Sequence, residues 1–170
     1  MKRIFIAVAV VGLAGGLALA KKERPLPAPN GIELPADFAD WRIVSTSVRS
    51  DNDTMRAVLG NKAAIKAARE GRVNPWPDGA VLAKVVWKRA GLEEWPPASV
   101  PGDFVHVEFM IKDSRKYART GGWGFARWLG NGLKPYGADA GFVNECFACH
   151  QPVKDRDYVF TRPAALPRIP

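Results

Sequence analysis

Both cysteines of this 170-residue chain and one of its two histidines fall within five residues, in the sequence Cys146-Phe147-Ala148-Cys149-His150. This C-x-x-C-H order is the attachment pattern of c-type haem. Two thiols one helical turn apart can each add to a vinyl group of the same porphyrin, and the adjacent imidazole can bind the iron. The motif therefore predicts a covalent haem c held by Cys146 and Cys149, with His150 as the iron ligand.

Three other interpretations of the motif compete with haem. A redox C-x-x-C would be followed by further βαβ structure, but the residues after His150 are rich in proline. A structural zinc site would need His106 as a fourth ligand and would require adjacent Cys149 and His150 to bind one ion. A local disulfide leaves His150 unexplained. We therefore favour haem.

Residues 1–20 have the pattern of a cleaved secretory signal peptide. Lys2 and Arg3 provide the positive start, an uncharged apolar run follows, and Ala18-Leu19-Ala20 fits the small-x-small cleavage pattern. An uncleaved membrane anchor is the alternative, although the run is short for a bilayer span and rich in Gly and Ala. The pattern predicts export, which in a Gram-negative cell means the periplasm, and no membrane association after cleavage.

The composition is that of a globular chain. Apolar residues make up 47% and charged residues 25%, which excludes a disordered protein, and two cysteines are too few for a disulfide scaffold. The net charge of +8 is spread along the chain, so it indicates an acidic partner better than nucleic acid.

The hydrophobic pattern predicts an α+β fold that is mainly antiparallel sheet with a few short helices and a C-terminal haem motif. Residues 21–34 carry three prolines and predict an extended lead-in to a single domain over residues 35–170. The predicted strands cover residues 42–48, 54–59, 80–88, 104–112 and 125–129, with a helical turn at 35–41 and a helix at 62–70 that Asn61 caps.

One lysine interrupts an apolar strand. Alternation places Lys84 between Leu82 and Val86 on one face of the predicted strand over residues 80–88. A solvated or snorkelling lysine is the ordinary interpretation of this pattern.

The sixth position of the iron has few candidate ligands. Electron-transfer cytochromes fill it with Met or a second His, and the chain after residue 20 offers Met55, Met110 and His106. His106 and Met110 share a strand face with Glu108, opposite an apolar row, but a gap-filling Met and a surface His are the simpler interpretations. An open sixth position that binds small molecules is therefore favoured.

Five segments follow one another along the chain: Thr54-Met55-Arg56, Asp78 to Lys84, Glu108 to Ser114, Gly122-Trp123-Gly124-Phe125, and Cys146 to His150 with Asp157 to Thr161. This ordered set resembles the cytochrome P-460 family, which also includes the gas-binding cytochromes c′-beta. The resemblance covers roughly residues 38–163. It implies a small antiparallel-sheet cytochrome, usually a homodimer, with His150 as proximal ligand and an open distal side.

The resemblance also implies an activity. The P-460 enzymes oxidise hydroxylamine through nitric oxide-level intermediates to nitrous oxide or nitrite, and a lysine bonded to their porphyrin corresponds to Lys84. The c′-beta proteins lack that bond and bind nitric oxide or carbon monoxide. Arg56 matches a family arginine near the distal pocket, and Asp113 is a plausible acidic partner for proton transfer. Glu145 is either a distal base or, more simply, a carboxylate at a helix start.

The leading hypothesis is therefore a periplasmic haem c protein that oxidises hydroxylamine and passes electrons to an acceptor cytochrome. The rivals are a non-enzymatic nitric oxide-binding protein and an electron-transfer cytochrome with Met110 or His106 as sixth ligand.

Overall fold

The computed structural model describes residues 24–165 and 167, so the predicted signal peptide lies outside the described residues. Six strands form one sheet: β1 (Arg42–Arg49), β2 (Thr54–Gly60), β3 (Val81–Gly91), β4 (Ser99–Lys112), β5 (Trp123–Leu129) and β6 (Lys134–Pro135). The α-helices are α1 (Lys62–Arg69) and α2 (Val143–His150), and short 3-10 helices span Phe38–Asp40, Ala118–Thr120, Ala140–Phe142 and Gln151–Arg156. No helix among these residues is long and apolar enough to cross a membrane.

The sheet is an antiparallel meander. Its strands lie in chain order from β1 to β6, and each pairs with its sequence neighbour. The predicted fold class is confirmed. The β3–β4 hairpin is longer than the alternation predicted, because pairing continues to Gly91 and Ser99 past the register shifts between Val86 and Arg89. The short strand β6 was not predicted.

The register divides the sheet side chains between two faces. The front face carries Arg56, Val58, Leu82, Lys84, Val86, His106, Glu108, Met110, Lys112, Trp123, Phe125 and Arg127. The back face carries the alternate, almost entirely apolar set, which includes Val85, Val107, Phe109 and Trp128. Directly opposed residues of antiparallel strands share a face, so charged front-face side chains of adjacent strands are neighbours.

The back face is covered by the segment that precedes β1. Ala28 and Ile32 are buried against it, and the indole N–H of Trp128 donates to the carbonyl of Leu26 at 2.9 Å. Phe38 meets Phe109 edge to face at 5.5 Å between ring centroids. The described part of the predicted extended lead-in, residues 24–34, contains no helix or strand, yet it is packed against the sheet.

The front face is covered at one end only. Ala64 and Ala67 of helix α1 pack against Leu82 in an apolar cluster on this face. Trp76 and Val159 belong to the same cluster. Asn61 caps α1 as predicted, since its Oδ1 accepts from the N–H of Ala64 at 2.9 Å. The rest of the front face carries the charged side chains. Cys146 of α2 packs against both the front-face cluster and the apolar residues of the back face.

Candidate functional site

The C-x-x-C-H motif occupies the last five residues of α2, from Cys146 to His150. Residues three apart on a helix lie on the same side, so Cys146 and Cys149 face the same way. Cys146 is half-buried, Cys149 is exposed, and both thiols are free. Burial raises the pKa of the Cys146 thiol. The pair has the spacing that two thioether bonds to one porphyrin require.

His150, the last residue of α2, is oriented by a single hydrogen bond. Its Nδ1 lies 2.6 Å from the carbonyl oxygen of Tyr158. A carbonyl only accepts, so Nδ1 carries the proton and the lone pair of Nε2 is free in the neutral ring. Burial lowers the pKa of His150, which favours that neutral form. The rings of Phe125 and Phe160 flank the imidazole at 5.3 and 5.2 Å between centroids.

Four charged or titratable side chains from three adjacent strands meet on the front face. We call Lys84, His106, Glu108 and Arg127 the front cluster. Glu108 is at its centre: it forms an ion pair with Lys84, Arg127 Nε lies 2.7 Å from its Oε1, and His106 Nε2 lies 3.3 Å from the same oxygen. The strand register brings these side chains together, because Glu108 on β4 pairs with Lys84 on β3 and with Arg127 on β5.

The contact between Arg127 and Glu108 is electrostatic and is not a well-aligned hydrogen bond. Arg127 Nε is buried and its N–H does not point along a hydrogen bond to the carboxylate, despite the short separation. The guanidinium also lies over the ring of Tyr136, 4.4 Å from the centroid. Arg127 is therefore held between an anion and an aromatic face.

Glu108 is ionised despite being four-fifths buried. Burial of the carboxylate is the largest single effect and raises its pKa, but the hydrogen bond from His106 and the charges of Lys84 and Arg127 together outweigh it. The pKa of Glu108 is consequently held well below its usual range. The front cluster thus contains a carboxylate that is a weak base.

Lys84 and Arg56, two predicted site residues, are both on the front face. The Lys84 side chain is about one-third exposed and its amine is paired with Glu108. Arg56 is half-buried on β2, opposite Val86, and burial followed by the charge of Arg49 lowers its pKa. The ring of Phe125, a front-face residue of β5, lies 5.3 Å from the His150 imidazole between centroids, so the end of α2 lies against the face that carries Lys84 and Glu108.

Asp113, the third predicted catalytic residue, lies in the turn after β4. Its carboxylate accepts from the backbone N–H groups of Arg115 and Lys116, at 3.1 and 2.9 Å. It is five residues along the chain from Glu108, about 17 Å at the rise of a strand. The structure does not bring Asp113 together with Lys84, and the role of Asp113 in proton transfer stays a prediction.

The remaining candidate ligands and bases have other contacts. His106 is paired with Glu108, and Met110 packs against the front-face core. Glu145 lies in the first turn of α2 and accepts from the hydroxyl of Tyr136 at 2.8 Å, as expected of a helix-start carboxylate. Within the described part of the chain, no three His, Cys, Asp or Glu side chains are grouped to hold a metal ion.

Sequence reasoning missed Glu108 and Arg127 as site residues. The signal for Glu108 was present, because it shares strand parity with His106 and Met110 opposite the apolar row. Nothing in the sequence indicated Arg127, whose place depends on the pairing of β5 with β4.

The sheet is a meander with the C-x-x-C-H helix packed against it. The two free thiols and the imidazole with Nε2 available are the donors that a small c-type cytochrome needs. The family model described as Cytochrome P460 matches residues 35–161, most of the chain, and the chain belongs to the Cytochrome P460 family. A search of the curated proteins gave no match. Family membership implies haem c, and the donors that α2 presents fit that group.

Proposed function

We propose that this protein is a haem c enzyme that oxidises hydroxylamine, through nitric oxide-level intermediates, to nitrous oxide or nitrite. The observation that carries the proposal is the position of Lys84. Its amine is paired with Glu108 on the front face, the face against which Phe125 contacts His150. Membership of the Cytochrome P460 family supports the same activity.

The residues that would hold the group are those of α2 and β3. Cys146 and Cys149 would supply the two thioether bonds, His150 Nε2 would bind the iron, and Lys84 would lie at the porphyrin edge as the candidate for a further attachment. When bound, haem would supply the redox chemistry that carries electrons from hydroxylamine to an external acceptor. The rest of the chemistry belongs to side chains of the sheet.

Glu108 acts on Lys84 and not on the substrate. A carboxylate whose pKa is held well below its usual range is too weak a base to collect protons near neutral pH. Its ion pair instead fixes the direction of the lysine side chain, which otherwise has four rotatable bonds. Glu108 is therefore a positioning residue for the attachment of Lys84.

Arg56 is the front-face cation proposed to contact the substrate. It lies on the strand next to that of Lys84, and its guanidinium is charged at neutral pH because arginine is not deprotonated in proteins. We assign it the donation of hydrogen bonds to the hydroxylamine oxygen.

Location and partners follow from the sequence. The signal-like residues 1–20 support a periplasmic protein, and the net charge, which is +6 once Lys2 and Arg3 are removed with them, suits a negatively charged acceptor cytochrome. A homodimer is proposed from the family resemblance.

A second candidate, a non-enzymatic protein that binds nitric oxide or carbon monoxide, is favoured by one observation. The Lys84 amine is in an ion pair, and a protonated ammonium has no lone pair with which to form a bond. If that state persists in the mature protein, the porphyrin stays unmodified.

The two functions are separated by the absorption spectrum of the ferrous protein, with and without carbon monoxide, and by the mass of the haem peptide. The enzyme predicts a red-shifted, broadened Soret band and a peptide that joins Lys84 to haem. An ordinary c-type Soret band that shifts with carbon monoxide supports the gas-binding candidate. An ordinary band that carbon monoxide does not move supports a six-coordinate electron-transfer protein.

The matched control for Lys84 is Lys88, an exposed lysine on the same strand with the same parity. Lys84→Ala should convert the spectrum to an ordinary c-type spectrum and abolish hydroxylamine oxidation, whereas Lys88→Ala should change neither. A Lys84→Ala protein with the parent spectrum and activity would refute the attachment.

A further inference from the structure

A buried ion pair lies beneath the segment that follows His150. Lys112 Nζ is 2.6 Å from Asp157 Oδ1, and the two side chains are only 6% and 8% exposed. They are 45 residues apart in the chain, so the pair links the end of β4 to the C-terminal segment. Neither residue has a role in the proposed oxidation, and no sequence pattern singled them out as functional.

Asp157 is fixed from several directions. Its second carboxylate oxygen accepts from the backbone N–H of Trp76 at 2.8 Å, and its carbonyl accepts from the indole N–H of Trp123 at 2.8 Å. Lys112 Nζ in turn lies 4.9 Å from the centroid of the Trp123 ring. The carboxylate, the ammonium and the two tryptophans form one closed arrangement, which we call the Asp157 anchor.

The anchored residue begins a turn of unusual conformation. Asp157 and Tyr158 both have positive φ, 52° and 61°, although neither is glycine. Two successive residues in the left-handed region persist only where the surrounding structure holds them there. The Tyr158 ring is also confined, because it occupies the space beside Gly121, where a Cβ would lie 2.2 Å from the ring.

This turn directs one functional group at the iron ligand. The carbonyl of Tyr158, the second residue of the turn, accepts the hydrogen bond from His150 Nδ1. A partner at Nδ1 sets the tautomer and ring orientation of a metal-binding histidine and raises its basicity. The direction of that carbonyl depends on the backbone angles that the Asp157 anchor maintains.

We propose that the ion pair between Lys112 and Asp157 positions His150 for the iron, by holding the carbonyl of Tyr158 at Nδ1. Lys112 and Asp157 are thus positioning residues that act through Tyr158. The inference rests on the proposed role of His150 as iron ligand, and it does not depend on whether hydroxylamine is the substrate.

Two substitutions separate positioning from a simple charge effect. Asp157→Asn removes the negative charge of the ion pair without itself opposing the positive φ at residue 157, because asparagine tolerates that conformation. Lys112→Met removes a positive charge from the same place. By Coulomb's law alone the first raises and the second lowers the reduction potential of the haem. Loss of the hydrogen bond makes His150 a weaker donor, and this raises the potential in both variants.

The experiment measures the iron–histidine stretching band of the ferrous holoprotein by resonance Raman spectroscopy, together with the reduction potential. The expected result is a lower band frequency and a higher potential in both variants, with Lys112→Arg closer to the parent than Lys112→Met. Asp53→Asn is the matched control. Asp53 has a φ of 53° and an ion pair with Arg89 at 2.6 Å, but its side chain is exposed.

The outcomes are distinct. A parent band that persists in His150→Ala would remove both the proposed ligand and this inference. A parent band that is lost in His150→Ala but unchanged in both ion-pair variants would overturn the inference and leave the ligand in place. If the reduction potentials of Asp157→Asn and Lys112→Met moved in opposite directions while the iron–histidine band stayed unchanged, the ion pair would act on the haem through its charges alone, and the positioning role would be overturned. If Lys112→Met fails to take up haem, Asp157→Asn and Lys112→Arg still decide the question.

Discussion

Gly121→Ala tests whether the close contact between Tyr158 and the glycine backbone is needed for the site. Gly121 has a φ of 67°, and a Cβ there would lie 2.2 Å from Cε2 of the Tyr158 ring and 2.6 Å from Cζ. The substitution therefore adds two costs: an alanine in the left-handed region, and displacement of an aromatic ring that packs beside the turn holding His150.

The two costs can be separated within the same chain. Gly71 has a φ of 70°, and a Cβ there would meet nothing within 4 Å, so Gly71→Ala carries the backbone cost alone. That cost is about 1–2 kcal/mol. Overpacking adds roughly 1–3 kcal/mol in a well-packed region. We expect Gly121→Ala to lower the free energy of unfolding by about 2–5 kcal/mol, and Gly71→Ala by about 1–2 kcal/mol.

Urea unfolding of the haem-loaded variants, followed by tryptophan fluorescence, measures both values. The resonance Raman band of the ferrous protein should also move in Gly121→Ala and remain in place in Gly71→Ala, because only Gly121 contacts Tyr158. Equal destabilisation of the two variants would refute the argument, since it would show that Tyr158 moves aside freely. An unshifted band in Gly121→Ala would show that the Tyr158 carbonyl is independent of its ring.

Three further outcomes are expected. Asn61→Ala should cost about 1–2 kcal/mol in urea unfolding, because Asn61 caps α1 and also donates to the carbonyl of Gly79; an unchanged midpoint would contradict this. The depressed pKa of Glu108 stabilises the fold above about pH 4.3, and this contribution is lost as the pH falls towards the folded-state value. Glu108→Gln should therefore flatten the acid limb of a stability profile between about pH 5 and 2, and a limb as steep as the parent's would remove Glu108 as a cause. Trp128→Phe removes the hydrogen bond to Leu26, so limited proteolysis should release the segment before β1 faster than in the parent, and equal rates would show that apolar packing alone holds it.

The front cluster shows why part of the site could not be predicted. Alternation in the β3 segment placed Lys84 between Leu82 and Val86, and the structure has all three on one face. The partner of Lys84 is on another strand, however, and its identity depends on which residue of β4 stands opposite. A shift of one residue in that register would have put Val107 there and left Lys84 without its carboxylate.

Asp113 shows that closeness in the sequence did not predict closeness in the site. It was the acidic residue that the family resemblance suggested, and it lies only five residues from Glu108 in the chain. In an extended strand that interval is about 17 Å, whereas in a helix it would be about 7 Å. The distance between the two carboxylates was thus decided by the conformation of β4 and not by their proximity in sequence.

The amino-acid sequence by itself determined the attachment motif, the alternating strands and the capped helix, because each depends on spacing within a few residues. The motif needs two thiols and an imidazole within five positions, and a strand needs only its period of two. The tertiary structure decided which charges meet. The ion pairs of Glu108 with Lys84 and of Lys112 with Asp157 join residues 24 and 45 positions apart. Such contacts form only when strand register and chain packing bury both charged partners next to each other. No local sequence pattern encodes that pairing.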